Sequence, residues 1–456
     1  MSLSLSDISE EVLAAQYAVR GPIVKRAGEL ERSGKPVIYC NIGNPQALGQ
    51  KPLSYVRQML ALMQYPELAH KSPQAFPPDV LKKASELLAA SGGGLGAYSE
   101  SKGLRVVREA VATFIARRDS DSSLTVGSDP EHIYLTDGAS KGVQSILRLL
   151  ITSDRDGIMI PIPQYPLYSA SIALYGGYQV GYYLKENTGW SLSRQELERA
   201  YAEASAVGIR VKAICVINPG NPTGAVLTND NIAMVLCFAR EHGLSVLADE
   251  VYQENIYRPG DRFVSFARVL GELGDTEVCL FSFHSCSKGF HGECGQRGGY
   301  MEARNVSAEV LAQITKLQSI ALCANLTGQI LVHLMVRPPE PGEASFELYE
   351  KEKKEILGEL AARARLLAEG LNRIQGISCA PIAGAMYAFP QIELPPGRSD
   401  SEYCLALLEE TGICLVPGEG FGQAEGSAHF RTTILPPRDQ LRQVLDKLEK
   451  FHNRWR

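Results

Sequence analysis

Several features that mark other classes of protein are missing from this sequence of 456 residues. Its ten cysteines form no C-x-x-C pair and its eight histidines form no cluster at metal-ligand spacing, so no metal site is predicted and the thiols are expected to be reduced. No apolar run approaches the roughly 20 residues that a transmembrane helix needs. A net charge of -5 without long basic runs gives no reason to expect binding to nucleic acid or to a membrane. A small molecule is the expected partner.

The first residues also lack the composition of a targeting segment. Asp7, Glu10 and Glu11 precede the first arginine, Arg20, which fits neither a secretory signal nor an arginine-rich transit peptide. The expected location is therefore the cytoplasm.

Short apolar runs alternate with helix-like stretches between residues 98 and 302, which is the pattern of an α/β domain with a mostly parallel sheet. The chain is longer than the roughly 250 to 300 residues at which single cores stop growing, so two domains are expected. Seven strands are predicted at residues 133–138, 157–163, 178–184, 211–219, 244–250, 278–285 and 298–302.

A proline-rich segment, residues 337–342, cannot continue a helix and precedes a second unit with an α+β pattern. That unit is predicted to contain helices at 346–374, 401–411 and 438–451 and strands at 385–392, 413–417 and 429–435. We therefore predict three parts: an arm with part of the small domain at 1–64, a large domain at 65–336 and the rest of the small domain at 337–456.

Polar motifs follow four of the predicted strands: DGASK at 137–141, NPGNPTG at 218–224, ADEVY at 248–252 and SFHSCSK at 282–288. Ligands of open α/β sheets gather at the carboxyl ends of the strands, so these motifs mark a predicted site. Each motif alone has an ordinary explanation, since NPGNPTG is also typical of a tight turn and most lysines are solvated.

One alternative concerns Ser285 and Lys288, which match the S-x-x-K pattern of acyl-enzyme serine hydrolases. The K-T-G and S-D-N companions of that family are absent from the sequence. The hydrolase interpretation therefore stays a rival with little support.

Taken together and in order, the motifs resemble the class I/II, fold-type I aminotransferases that depend on pyridoxal 5'-phosphate (PLP). The resemblance extends from Gly43 to Arg431, and it is closest to the alanine aminotransferase branch in the segments at 40–52, 134–143, 164–170, 218–224, 248–257 and 282–302. It implies a large domain with a mostly parallel seven-stranded sheet and a smaller α+β domain.

The resemblance also implies roles around the cofactor ring. Lys288 is the lysine that holds the cofactor and later acts as a base, and Asp249 faces the ring nitrogen. Tyr252 and Asn221 match the partners of the ring hydroxyl. Tyr165 is expected to stack on the ring face.

A second set of residues is implied for the cofactor phosphate, which needs helix N–H groups, hydroxyls and a guanidinium. The residues of this set within one chain are Ala139, Ser140, Lys141, Ser285 and Arg297. Tyr98 resembles a tyrosine that reaches the phosphate across a subunit boundary. The active unit is then expected to be a homodimer.

For the substrate, the resemblance implies that Arg431 binds the α-carboxylate, that Asn221 assists and that Gly43 lets the backbone approach closely. It implies ping-pong exchange between L-alanine and 2-oxoglutarate, giving pyruvate and L-glutamate. Three alternatives stay open: a glutamate or alanine aminotransferase that uses glyoxylate, a PLP lyase such as the synthase of aminocyclopropane carboxylate, and a non-catalytic PLP-binding regulator. No basic helix-turn-helix segment supports the regulator.

Overall fold

A computed structural model of the chain describes residues 3–455, apart from the side chain of residue 18. No helix within this range is at once long enough and apolar enough to cross a membrane. Its α-helices are α1 (Glu10–Ala14), α2 (Pro22–Arg32), α3 (Ser54–Gln64), α4 (Leu68–Lys71), α5 (Pro78–Ala90), α6 (Arg105–Asp119), α7 (Ala139–Leu150), α8 (Leu167–Leu174), α9 (Arg194–Ala206), α10 (Asn229–His242), α11 (Phe266–Glu272), α12 (Ala308–Ile320), α13 (Leu326–Val336), α14 (Phe346–Leu371), α15 (Asp400–Thr411) and α16 (Arg438–Trp455).

The strands form one large sheet and several small ones. They are β1 (Ile38–Tyr39), β2 (Ile133–Asp137), β3 (Asp156–Ile162), β4 (Tyr178–Tyr183), β5 (Arg210–Ile217), β6 (Ser245–Asp249), β7 (Leu280–Ser285), β8 (Gly298–Arg304), β9 (Ile377–Ser378), β10 (Tyr387–Ala388), β11 (Gln391–Ile392), β12 (Ile413–Cys414), β13 (Val416–Pro417) and β14 (Phe430–Thr433). The seven-stranded sheet has the order β2-β8-β7-β6-β5-β3-β4, and only β8 is antiparallel to its neighbours. The predicted α/β fold class is confirmed.

The large sheet is covered on both faces because side chains of successive strand residues point in opposite directions. In β5, Ala213 and Cys215 belong to one apolar cluster, whereas Ile214 and Val216 belong to another. The first cluster includes residues of α7 and α8, and the second includes residues of α9 and α10. Strands such as β3 that are buried on both faces read as continuous apolar runs and were therefore visible in the sequence, whereas the edge strand β4 is partly exposed.

Smaller sheets pair the strands of the C-terminal unit with one another and with the N-terminal strand β1. β14 lies between β10 and β13, with antiparallel pairing on both sides, and β9 pairs with β11. β1 pairs in parallel with β12, so the N-terminal segment contacts the C-terminal unit. The predicted domain boundaries stay predictions, and residues 1, 2 and 456 of the predicted end units lie outside the described residues.

Two predicted strands of the C-terminal unit were too long. Residues 385–392 form two separate strands, β10 and β11, on either side of Phe389 and Pro390. Proline has no N–H to give to a strand ladder, which accounts for the interruption. Residues 413–417 likewise divide at Leu415, because β12 pairs with β1 and β13 pairs with β14.

Candidate active site

A cavity of ≈ 490 Å³ opens at the carboxyl edge of the large sheet. The residues that follow or end β2, β5, β6 and β7 line it, together with residues of the N-terminal segment and of the small sheets. The lining contains eleven of the thirteen predicted site residues: Gly43, Ala139, Ser140, Tyr165, Asn221, Asp249, Tyr252, Ser285, Lys288, Arg297 and Arg431.

Lys288 follows β7 and extends its amine into this cavity. Its Nζ donates a hydrogen bond of 2.6 Å to the carbonyl oxygen of Gly43, which lies 245 positions earlier in the chain. A Cβ on Gly43 would overlap the Tyr387 hydroxyl and would lie 3.1 Å from Lys288 Nζ. Only glycine leaves room for both groups.

Asp249 ends β6 at the floor of the cavity and is 4% exposed. Burial raises the pKa of its carboxyl from the usual 3.8 to about 6, even though Tyr168 donates a hydrogen bond of 2.9 Å to Oδ2. A buried carboxylate is stabilised by a nearby cation, so this position favours a protonated ring nitrogen beside it.

Arg431, on β14, is 1% exposed and lies between two aromatic rings, 4.2 Å from the Tyr387 centroid and 4.7 Å from the Phe421 centroid. It donates one hydrogen bond of 3.2 Å to Asn221 Oδ1 and another of 2.5 Å to the carbonyl oxygen of Asn41. Its Nε is buried and has no hydrogen-bond partner among the described residues. An unsatisfied buried donor on a fixed guanidinium is suited to a carboxylate ligand.

The other end of the cavity is built for an anion. Ala139 begins α7, and N–H groups of a first helical turn have no intrahelical partner. Arg297 lies beside this turn. Its guanidinium donates a hydrogen bond of 3.2 Å to the carbonyl oxygen of Asp137 and one of 3.0 Å to that of Cys294. Gly138 has a φ of 73 and a ψ of 165, and a Cβ there would overlap the Arg297 guanidinium. A phosphate therefore fits here, between the N-terminus of α7, the Arg297 guanidinium and the Ser285 hydroxyl.

The donor set therefore fits PLP along its whole length. The α7 turn and Arg297 would hold the phosphate, Asp249 would face the ring nitrogen, and Lys288 would hold the reactive carbon. Tyr165 borders the same cavity, where burial raises the pKa of its hydroxyl well above the usual range. Its hydroxyl lies 2.8 Å from that of Tyr17, so the N-terminal segment closes one side.

Two predicted site residues do not line the cavity. The side chain of Lys141 is exposed, and its backbone N–H donates a hydrogen bond of 3.2 Å to the Gly138 carbonyl oxygen, so its predicted contact with a phosphate stays a prediction. Tyr98 is 78% exposed and lies away from this cavity, and its predicted role across a subunit boundary stays a prediction.

The fold also brings to the site residues that were not predicted from the sequence. Tyr17, Arg20, Cys294 and Tyr387 line the cavity, and Tyr168 lies behind Asp249. Tyr168 stands in the quoted motif at 164–170, three positions after Tyr165, and this spacing was the available signal. Nothing local distinguishes Tyr387 from the other aromatic residues of its apolar segment. Within the described range there is also no group of three or more metal-ligating side chains.

Comparison with known proteins gives consistent matches over the whole chain. The profile of the family described as Aminotransferase class I and II matches residues 60–448. Alanine aminotransferase 1 of Homo sapiens is 49% identical, covering 99% of this chain and 94% of that protein. Glutamate–glyoxylate aminotransferase 1 of Arabidopsis thaliana is 48% identical, covering 99% and 96%. The structure of an alanine aminotransferase from Pyrococcus furiosus superposes with a TM-score of 0.80 at 27% identity, covering 98% of this chain and all of that one.

Proposed function

This chain belongs to the class I and II aminotransferases, and we propose from that premise that it exchanges an amino group between L-alanine and 2-oxoglutarate. The products are pyruvate and L-glutamate, formed in two half-reactions. The observation that carries this proposal is the placement of Lys288 and Arg431 in one cavity, with the buried Nε of Arg431 unpartnered. A site with one proton-transfer amine and one carboxylate-binding guanidinium accepts an α-amino acid.

PLP, on which this family depends, supplies an electron sink that stabilises negative charge at the substrate α-carbon. The protein supplies the remaining functions. Arg431 binds the substrate carboxylate and fixes the orientation of the α-carbon. The Lys288 amine accepts the α-proton and later returns a proton, and Asp249 stabilises the positive charge on the ring nitrogen.

A second arginine supports glutamate and 2-oxoglutarate as one of the substrate pairs. Arg20 lines the cavity, and within residues 3–455 no hydrogen bond or ion pair holds its guanidinium. Alanine has one carboxylate, which Arg431 can bind, whereas glutamate has a second carboxylate that needs another cation. Arg20 is the available one.

The name of the Arabidopsis relative favours a second candidate, in which glyoxylate replaces pyruvate as the small keto acid. Both candidates share the glutamate and 2-oxoglutarate pair, so Arg20 does not separate them. Comparing kcat/KM for alanine with 2-oxoglutarate against glutamate with glyoxylate decides between them.

The test of the proposed function is a visible absorption spectrum with and without L-alanine, followed by a pyruvate assay with 2-oxoglutarate. Wild-type protein should show a cofactor band that changes with alanine. Lys288→Ala should lose at least about 100-fold in turnover, whereas Lys316→Ala, an exposed lysine on α12, should not. No cofactor band after incubation with PLP would reject the proposal, and a band that ignores alanine would move the search to glyoxylate or to lyase substrates.

We further propose a homodimer located in the cytoplasm. Tyr98 and Ile320 are each 78% exposed, and covering these side chains with a second chain would remove apolar area from water. All ten cysteines are free, which is typical of a reducing compartment. Analytical ultracentrifugation and cell fractionation test the two points separately.

A further inference from the structure

Tyr387 occupies the centre of the site, and none of the functions described so far uses its hydroxyl. It begins β10 and pairs with Thr433 of β14, the strand that also carries Arg431. It is 4% exposed, and its hydroxyl lies over the Cα of Gly43, close enough that a Cβ there would overlap it. The Lys288 amine points toward the same spot, 3.1 Å from that Cβ position.

The ring and the hydroxyl of Tyr387 have different partners. The ring packs against the Arg431 guanidinium, with a distance of 4.2 Å to the centroid. The hydroxyl is hydrogen-bonded to that of Tyr252, whose ring lies at 6.2 Å and 81°. Removing the hydroxyl alone would therefore leave the packing against Arg431 intact.

Charged side chains act on the hydroxyl of Tyr387. Burial by itself would raise the pKa of Tyr387, but the Lys288 and Arg431 cations outweigh burial and the hydrogen bond with Tyr252 acts in the same direction, so the pKa lies below the usual 10. Cys294 opposes this shift, and Tyr165 also faces the ring. Because both cations carry only donors, the phenol oxygen can accept a hydrogen bond from them but cannot donate one to them.

We propose that Tyr387 is a positioning residue for proton transfer by Lys288, with its hydroxyl oxygen accepting one N–H of the amine while the Gly43 carbonyl oxygen accepts another. A neutral primary amine has two N–H donors and one lone pair. With both donors held by fixed oxygens, the lone pair is directed at the substrate α-carbon. The inference rests on the proposed function, because it assigns a partner to the amine that moves the proton.

A competing role for Tyr387 acts through Arg431 on substrate binding, and it makes a different prediction. If the tyrosine only supports the guanidinium, its substitution raises KM and leaves kcat unchanged. If it orients the Lys288 amine, kcat falls and KM stays constant, because the substrate carboxylate is still bound.

The test compares Tyr387→Phe with Tyr403→Phe, a control that removes another buried hydroxyl, 3.1 Å from His452 Nδ1 and outside the cavity. Tyr387→Phe should lower kcat about tenfold with KM for alanine within about twofold. In the PLP-loaded protein without substrate, the pH midpoint of the visible band should fall by about half a unit, since an acceptor near the cationic nitrogen is lost. Tyr403→Phe should change neither quantity.

A third variant controls for the possibility that the substitution at Tyr387 acts by disturbing the packing of the site. Tyr387→3-fluorotyrosine keeps the hydroxyl and should keep kcat within about threefold of wild type. The proposal is overturned if Tyr387→Phe keeps both kcat and the spectral midpoint, or if only KM changes. The spectral titration needs no substrate, so a failure of the alanine assay in the wild type would reject the proposed reaction without deciding the role of Tyr387.

Discussion

The carboxylate of Asp249 is buried, and its negative charge lowers the free energy of unfolding of the cofactor-free protein. Its pKa of about 6 in the folded state lies above the usual 3.8. The folded state thus binds the proton more tightly than the unfolded state, and stability is lost as the pH rises from about 4 through 6. At pH 7 the free energy of unfolding is lower by about 3 kcal/mol, because each unit by which the folded-state pKa is shifted corresponds to about 1.36 kcal/mol.

Asp249→Asn should therefore raise the melting temperature of the cofactor-free protein at pH 7, because it removes the buried charge. The gain should shrink as the pH falls toward 4, because the aspartate is then protonated in the folded state and no buried charge remains. Calorimetry of both proteins from pH 4 to 7 measures the difference. The same variant loaded with PLP should lose activity, and a variant less stable than wild type at pH 7 would contradict the assignment of a charged, buried Asp249.

Arg20 should decide how well the enzyme uses substrates with two carboxylates. Arg20→Gln should raise KM for 2-oxoglutarate about tenfold, the equivalent of one charged hydrogen bond, and should change kcat/KM for alanine by less than about twofold. Arg32→Gln, an exposed arginine at the end of α2, serves as the control. Equal losses for alanine and 2-oxoglutarate would show that Arg20 acts on the fold of the N-terminal segment instead.

Predicted site residues that line the cavity, such as Lys288 and Asp249, belong to motifs with their own local pattern. The lysine after β7 and the acidic residue at the end of β6 stand at strand ends, where a ligand is expected in such sheets. Arg20 and Tyr387 have no such pattern. They reach the cavity only through tertiary contacts of the N-terminal segment and of β10, which no local sequence window contains.

At the scale of elements, the seven strands of the large sheet were predicted to within two residues at each end. Strands such as β3 and β7 are buried along their whole length and read as continuous apolar runs. The two-residue strands of the small sheets were less predictable. Their pairing is set by partners far along the chain, as with β1 and β12.

The turn between β2 and α7 should be the most sensitive element for cofactor retention. Gly138→Ala places a Cβ on a backbone with φ 73 and ψ 165, a region that costs about 1–3 kcal/mol for other residues, and displaces Arg297. The dissociation constant for PLP, measured by absorbance titration, should rise at least about tenfold.

Gly243→Ala provides the matched control for that experiment. Gly243 also has a positive φ, of 64, but a Cβ there would meet nothing within 4 Å, and it lies at the end of α10. It should lose about 1 kcal/mol of stability without a change in PLP affinity. Equal PLP affinities for the two variants would show that the turn before α7 does not bind the phosphate.

At the scale of the whole molecule, one chain brings eleven of the thirteen predicted site residues to one cavity, and Tyr98 is one of the two that lie outside it. That residue is 78% exposed and cannot act on the cavity of its own chain from where it lies. If it completes the site of a second subunit, the active unit contains two sites, each built from Lys288 of one chain and Tyr98 of the other.

Mixing two inactive variants tests this arrangement directly. Lys288→Ala and Tyr98→Ala homodimers should each have low activity, since every site lacks one residue. After dissociation and reassociation in equal amounts, half of the dimers are hybrids, and each hybrid has one site with both residues intact and one with neither. Activity should then return to about a quarter of the wild-type value. If Tyr98 worked within its own chain, no site in any hybrid would gain a missing residue and the mixture would show no recovery, which makes the recovered activity a measure of the shared site itself.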